Sequence, residues 1–132
     1  MSDPDRDDRL ARGRELARSH FGEDVIERWR TVSPEMEELS ASAFADIWSR
    51  PGLSRRDRAI VAMAITATLR AEPQLGWHIR GALGAGVTPD EVREVLLAVS
   101  GLAGGPAAWT ALEVAKPILD EHEATADGRE GT

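Results

Sequence analysis

The segment at residues 88–91, Thr-Pro-Asp-Glu, constrains the fold most strongly, because three of its residues are typical of a helix start. Threonine is a preferred N-cap residue, proline suits the first helical position, and a glutamate three residues after the cap completes a capping box. Apolar residues then recur at the spacing of one helical face, at Val92, Val95, Leu96 and Val99. The segment therefore predicts an amphipathic helix.

Helix signals recur along the rest of the chain, and no segment alternates in polarity with the period of two that is typical of strands. The sequence predicts an all-α fold, a bundle of six to seven helices. We expect one domain over residues 1–122 and a disordered polar tail over residues 123–132. The predicted helices begin near Asp7, Asp24, Pro34, Ser54, Glu72, Thr88 and Pro106.

Composition excludes several classes of partner and chemistry. The formal net charge of -7 argues against nucleic acid and anionic membrane surfaces, since both attract basic patches. No apolar run approaches the roughly 20 residues of a membrane span, and the first residues are acidic and polar, so we expect a cytoplasmic protein. Cysteine is absent, which excludes disulfides, thiolate metal sites and thiol nucleophiles.

Small residues are frequent in the predicted helices, so the helices can approach one another closely. Each helix then buries little apolar surface area. Oligomerisation commonly compensates for such a core, and we therefore predict a homo-oligomer. The small residues are Ala62, Ala64, Ala67, Gly81, Ala82, Gly84, Ala107, Ala108 and Ala111.

His78 is the first candidate for chemistry, because it lies on the apolar stripe formed by Leu75, Ile79 and Ala82. It is either a structural histidine of the core or a proton donor or acceptor at the mouth of a pocket, where a pKa of about 6 to 7 is useful. His20 and His122 stand in polar segments without ligand spacing to His78, so we predict no metal site.

Arginines and tryptophans supply candidate binding groups. Arg55 and Arg58 share a helix face near a helix start, which suits a clamp for a carboxylate. The alternative is that these arginines form ion pairs with acidic residues of this chain or of another subunit. Trp48 and Trp77 either form the wall of a pocket for a flat ring or belong to the core or an interface.

Four segments together resemble the carboxymuconolactone decarboxylase family, in matching order and spacing from about Arg12 to Leu119. Trp-x-Arg-Pro-Gly-Leu at residues 48–53 and the earlier Arg12-Gly13 resemble the 4-carboxymuconolactone decarboxylases in particular. The four segments are residues 48–58, 78–83, 86–97 and 103–108.

The resemblance implies a helical fold shared with the alkylhydroperoxidase D group, assembled as a trimer or hexamer and working without a cofactor. The peroxidase branch uses a Cys-x-x-Cys pair, which this sequence lacks, so peroxide chemistry is excluded. The implied reaction converts 4-carboxymuconolactone to 3-oxoadipate enol lactone and CO2 in aromatic-compound degradation.

The resemblance also implies roles for named residues. His78 would contact the oxyanion or deliver the proton, Arg55 or Arg58 would hold a carboxylate, and Trp48 or Trp77 would wall the site, with Gln74 lining it. Family members often have glutamate where Gln74 stands and tyrosine where Leu102 stands. These departures leave two alternatives open: a cyclase, isomerase or ligand-binding protein acting on a less polar substrate, and a catalytically silent structural oligomer.

Overall fold

The computed structural model describes residues 3–130, and the side chains of residues 3–127. The predicted all-α fold is confirmed, with seven α-helices and no strand in that range. The chain forms two compact units, Met1–Arg55 and Arg56–Thr132. The elements are α1 (Pro4–Phe21), α2 (Glu23–Val32), α3 (Pro34–Ala43), a π-helical turn (Phe44–Trp48), α4 (Arg55–Thr68), α5 (Glu72–Gly84), α6 (Pro89–Ala103) and α7 (Gly105–Glu130).

Side-chain caps fix the starts of three of these helices, α1, α3 and α6. At α6, the backbone N–H of Glu91 donates to Thr88 Oγ1 at 3.1 Å, and the backbone N–H of Thr88 donates to the Glu91 carboxylate at 3.0 Å. At α3, the backbone N–H of Met36 donates to the Ser33 hydroxyl at 3.2 Å. These bonds satisfy amides that have no partner within the first helical turn. The capping box predicted at residues 88–91 is therefore confirmed.

The helix that begins at Pro34 is divided. Its α-helical part ends at Ala43, and a π-helical turn continues to Trp48. The backbone N–H of Ser49 donates to the carbonyl of Phe44 at 3.2 Å, five residues back. A π turn holds more residues than an α turn, so Trp48 points in a different direction from the one that a continuous α-helix would give it.

In the first unit, α1 packs against α3 and the π-helical turn. The contact with α3 is close enough to require glycine at residue 13. A Cβ atom at Gly13 would lie 1.9 Å from the carbonyl oxygen of Ala41, far inside van der Waals contact. Gly13 therefore sets the distance between α1 and α3.

An ion pair joins the same two helices. Glu37 is only 4% exposed, and Arg14 holds both of its carboxylate oxygens, with Nε–Oε1 at 2.5 Å and Nη2–Oε2 at 3.2 Å. This bidentate geometry compensates a buried carboxylate for its lost hydration. The hydrogen bond to Glu37 also raises the pKa of Arg14, so Arg14 stays charged.

The second unit has an aliphatic core in which six of the fifteen buried residues are alanine. α7 packs against α5 and α6, and α4 contributes one face to the same core. The buried residues are Ala59, Met63, Ala67, Leu75, Ile79, Ala82, Val87, Val92, Leu96, Val99, Ala107, Ala111, Ala115, Ile118 and Leu119.

The structure differs from the predicted tail, because α7 continues through residues 123–130. Glu123 takes part in the packing of the second unit, where Arg93 Nη2 of α6 donates to its Oε1 at 2.5 Å. This ion pair links two residues that are 30 positions apart, so local sequence does not reveal it. Residues 131–132 lie outside the described range, and the single domain over residues 1–122 stays a prediction.

No helix in the described part of the chain combines the length and the apolar character that crossing a membrane requires.

Candidate functional site

His78 lies on α5 at the edge of the aliphatic core. The predicted stripe is present, since Leu75, Ile79 and Ala82 are fully buried, while His78 itself is half-buried. Burial removes water from the imidazole and lowers its pKa to about 4. This is below the pKa of about 6 to 7 that suits a proton donor or acceptor at neutral pH, because the apolar surroundings disfavour the cation.

A pKa near 4 defines what His78 can do at neutral pH. The ring is neutral there, so one nitrogen carries a proton and donates a hydrogen bond while the other accepts one. A neutral imidazole stabilises a developing oxyanion by hydrogen bonding and is a weak source of protons. The arrangement therefore favours hydrogen bonding over acid catalysis by an imidazolium.

Gln74, Trp77 and His78 lie on one side of α5, because residues three and four apart are neighbours on a helix surface. Gln74 is exposed, and Trp77, like His78, is half-buried. Three of the predicted site residues therefore form a polar and aromatic surface beside the core. We call Gln74, Trp77 and His78 the α5 surface.

The predicted arginines have different surroundings. Arg55, within the first unit, donates to the Ser19 hydroxyl at 3.1 Å and to the Ser19 carbonyl at 2.9 Å. Arg56, within the second unit, donates to the carboxylate of Glu91. Arg56 thus forms an ion pair of the kind that the alternative describes, whereas Arg55 contacts a serine, and a binding role for Arg55 stays a prediction.

Arg58 lies in the first turn of α4, directly before the fully buried Ala59. Its side chain is half-buried, and its Nε atom is shielded from solvent. A guanidinium in such a position near a helix N-terminus suits a carboxylate ligand. A carboxylate-binding role for Arg58 therefore stays a prediction.

Trp48 belongs to an aromatic cluster of the first unit. Its ring stacks on Phe44 with centroids 4.7 Å apart and planes 15° apart, and it lies 4.6 Å from the ring of His20. Phe21 also lies 4.6 Å from His20. These contacts support the alternative that Trp48 is a core residue. We call His20, Phe21, Phe44 and Trp48 the aromatic cluster.

The prediction that His20 is isolated in a polar segment is wrong, because the residue is 5% exposed. A signal was present in the sequence, since His20 and Phe21 continue the sparse apolar stripe of Leu10 and Ala17 at helical spacing. The charged residues between them hid this stripe.

A cleft with a volume of about 330 Å³ lies elsewhere on the second unit, between α5 and α7. None of the predicted site residues lines it. Arg80 and Glu121 form a loose ion pair across it, with Nη2–Oε2 at 3.5 Å. The lining residues are Arg80, Leu83, Gly84, Ile118, Glu121, His122 and Thr125.

The residues that break the family pattern are exposed. Gln74 lies on the α5 surface, and Leu102, near the end of α6, is 94% exposed. The described residues contain no group of three or more histidine and carboxylate side chains placed to hold a metal ion.

Comparison with known proteins gives a family match over most of the chain. The model of the carboxymuconolactone decarboxylase family matches residues 34–117. A 4-carboxymuconolactone decarboxylase from Acinetobacter baylyi is 37% identical over 83 residues, which is 63% of this chain and 62% of that protein. A nitrosuccinic acid decarboxylase from Metarhizium robertsii is 32% identical over 88 residues, which is 67% of this chain and 62% of that protein.

A third relative, an uncharacterised 15.0 kDa protein from Paracoccus denitrificans, is 33% identical over 123 residues, covering 86% of this chain and 90% of its own length. The chain thus spans about three fifths of the length of the two decarboxylases that it matches.

Proposed function

Because the chain belongs to the carboxymuconolactone decarboxylase family, we propose that it is a cofactor-free decarboxylase acting on a carboxylated butenolide, 4-carboxymuconolactone. One relative carries the name of this reaction, and a second is named as a decarboxylase of another acid. The observation that carries the proposal is the half-buried, neutral His78 beside Trp77 on the α5 surface.

The substrate supplies its own electron sink in this reaction. The bond between the ring carbon and its carboxylate breaks, CO2 leaves, and the electron pair moves through the ring alkene to the lactone carbonyl oxygen. A proton from water then adds to the carbon next to the carbonyl, and the carbonyl re-forms. The protein has to hold the carboxylates, stabilise the oxyanion and exclude bulk water.

We assign the oxyanion to His78. Since its ring is neutral at pH 7, it donates an N–H hydrogen bond to the lactone oxygen, and this bond gains strength as negative charge develops there. A neutral ring also avoids a fixed positive charge that would hold the reactant carboxylate and the transition state equally well.

We assign a substrate carboxylate to Arg58, because its half-buried guanidinium lies in the first turn of α4, where the helix N-terminus favours an anion. Trp77 offers a flat apolar surface next to His78 for the lactone ring, and Gln74 would reach a second polar group one helical turn away. A pocket-wall role for Trp48 stays a prediction.

We also propose that a second copy of this chain covers the outer face of α4, in a trimer or hexamer. Val61, Ile65 and Leu69 form an aliphatic stripe that is 46%, 53% and 71% exposed, and residues 59–69 carry no charge. A helix with apolar residues on two opposite faces is typically buried on both of those faces. Substitution Ile65→Lys should lower the mass measured by light scattering, and an unchanged mass would contradict the proposal.

The activity test is incubation of the purified protein with 4-carboxymuconolactone, with release of CO2 followed over time. Nitrosuccinate is assayed in parallel, because one relative is named for that acid. Turnover of the lactone alone supports the proposal, and turnover of nitrosuccinate alone identifies a decarboxylase of a different substrate. Binding of either acid without CO2 release favours the isomerase, cyclase or ligand-binding alternative.

A further inference from the structure

Glu91 uses its two carboxylate oxygens for different purposes. One oxygen caps α6 by accepting the backbone N–H of Thr88 at 3.0 Å. The other accepts a hydrogen bond from the guanidinium of Arg56 in the first turn of α4. Glu91 therefore joins the starts of two helices whose bonded residues are 35 positions apart in sequence.

The pair is charged at neutral pH. The hydrogen bond from Arg56, followed by that from Thr88, lowers the pKa of Glu91 to about 2. The same bond raises the pKa of Arg56. Glu91 thus balances the charge of Arg56 in the first turn of α4.

We infer that Glu91 is a positioning residue for the proposed carboxylate site. By holding Arg56, it fixes the rotation of the first turn of α4, and the guanidinium of Arg58 is thereby presented to the substrate in one orientation. Arg58 lies two residues beyond Arg56 in the same turn, so a rotation of this turn would displace both. This inference rests on the proposed function, because the carboxylate that Arg58 would bind is that of the proposed substrate.

A double-mutant cycle separates positioning from simple charge. Glutamine is accepted at this position of a capping box, so Glu91→Gln keeps the cap of α6 and loses the charged bond to Arg56. If Glu91 positions the turn, then Glu91→Gln and Arg56→Gln should each raise KM about tenfold with kcat nearly unchanged. The double variant should be no worse than either single variant, because both lose the same interaction.

A purely electrostatic role gives a different pattern. Glu91→Gln would then lower KM, because it releases the positive charge of Arg56 near an anionic substrate, whereas Arg56→Gln would raise it. That result, or an unchanged KM in Glu91→Gln, overturns the inference. Arg56→Lys, which keeps the charge but not the guanidinium fork, should recover part of the loss.

The matched control is Glu123→Gln. It breaks another arginine–glutamate bond of the second unit, the one from Arg93 Nη2 to Glu123 Oε1 at 2.5 Å. This variant should leave KM unchanged. An equal rise of KM in the control would mean that general destabilisation explains the effect, and the inference would fail.

A second measurement keeps the inference distinct from the proposed function. Calorimetry with cis-aconitate, a small tricarboxylate, gives a Kd in the same variants without any turnover. A wild-type protein that binds cis-aconitate but releases no CO2 from the lactone overturns the proposed function only. The inference then requires the Kd to rise about tenfold in Glu91→Gln and in Arg58→Gln. A Kd unchanged in either variant, or a wild-type protein that neither binds nor reacts, overturns the inference.

Discussion

The two units surround a histidine in different ways. His20 of the first unit is 5% exposed, and two aromatic rings lie within 4.6 Å of its own, measured between centroids. His78 of the second unit is half-buried on the α5 surface, beside Trp77. An enclosed imidazole contributes packing, whereas one at the edge of the core can still meet a small molecule. Both histidines lie on an apolar stripe of a helix. The degree to which other side chains enclose the ring therefore distinguishes a packing role from a role in binding a small molecule.

The interactions that hold each unit together differ as well. The first unit is held by a close helix crossing at Gly13, a buried ion pair and the aromatic cluster. The second unit is held by an aliphatic core, and the α5 surface lies beside this core. Substitutions in the first unit should therefore act mainly on stability, and those on the α5 surface mainly on turnover.

The largest expected effect is that of His78→Ala on turnover. We expect kcat to fall about 10³-fold, since a lost hydrogen bond to a developing oxyanion has an effect of this size. The melting temperature should change little because His78 is only half-buried. His122→Ala is the control, as this histidine lines the separate cleft. Equal turnover in the wild type and in His78→Ala would remove the proposed difference between the two histidines.

The next effect is that of His20→Ala on stability. Removing a ring from the aromatic cluster should lower the free energy of unfolding by about 3 kcal/mol, as it does for other large side chains in cores. Urea denaturation measures this change, and kcat per folded molecule should stay the same. His20→Phe keeps a ring of similar shape and should recover most of the loss. A fall in kcat with both variants would assign His20 a chemical role.

The helices could be predicted from sequence wherever their start signals are local. The capping box at residues 88–91 and the Glu72-Pro73 start of α5 have the predicted positions. The π-helical turn could not be predicted, because its bonding over five residues leaves no periodicity that distinguishes it from the end of α3.

Only part of the candidate site could be predicted from the sequence. Helical spacing is enough to place Gln74, Trp77 and His78 together, because they share one helix. The bond between Arg56 and Glu91 joins residues 35 positions apart, and local periodicity carries no information about such a pair. The pKa of His78 was also missed, since it depends on how much water the neighbouring helices exclude.

A smaller effect on stability tests the difference between the two scaffolds. Gly13→Ala should destabilise the protein by about 2 kcal/mol, because its Cβ would overlap the backbone of α3 and force the helices apart. Gly76→Ala is the matched control in the second unit, where the nearest atom would lie 3.7 Å away on the Ile118 side chain. Alanine there should add about 0.5 kcal/mol, since it favours the helix. Equal losses of unfolding free energy from the two substitutions would show that the close approach at Gly13 does not determine the stability of the first unit.

The smallest expected effect is the pH dependence of stability that His78 causes. The pKa of His78 is about 4 in the folded protein, whereas an imidazole in water has its ordinary pKa of 6.5, so the unfolded chain binds a proton more tightly. The contribution of His78 to stability is therefore unaffected above pH 6.5 and becomes increasingly unfavourable as pH falls towards 4. At pH 5 the cost is about 2 kcal/mol at most.

This cost is measured as the difference in unfolding free energy between the wild type and His78→Ala at pH 7.5 and pH 5. All other residues are the same in the two proteins, so their contributions cancel in this difference. Glu91 titrates with a pKa of about 2, so it stays ionised across this interval. The wild type should lose stability relative to His78→Ala on acidification. If the difference does not change with pH, then water reaches His78 in the folded protein, and the imidazole is not held neutral by its surroundings.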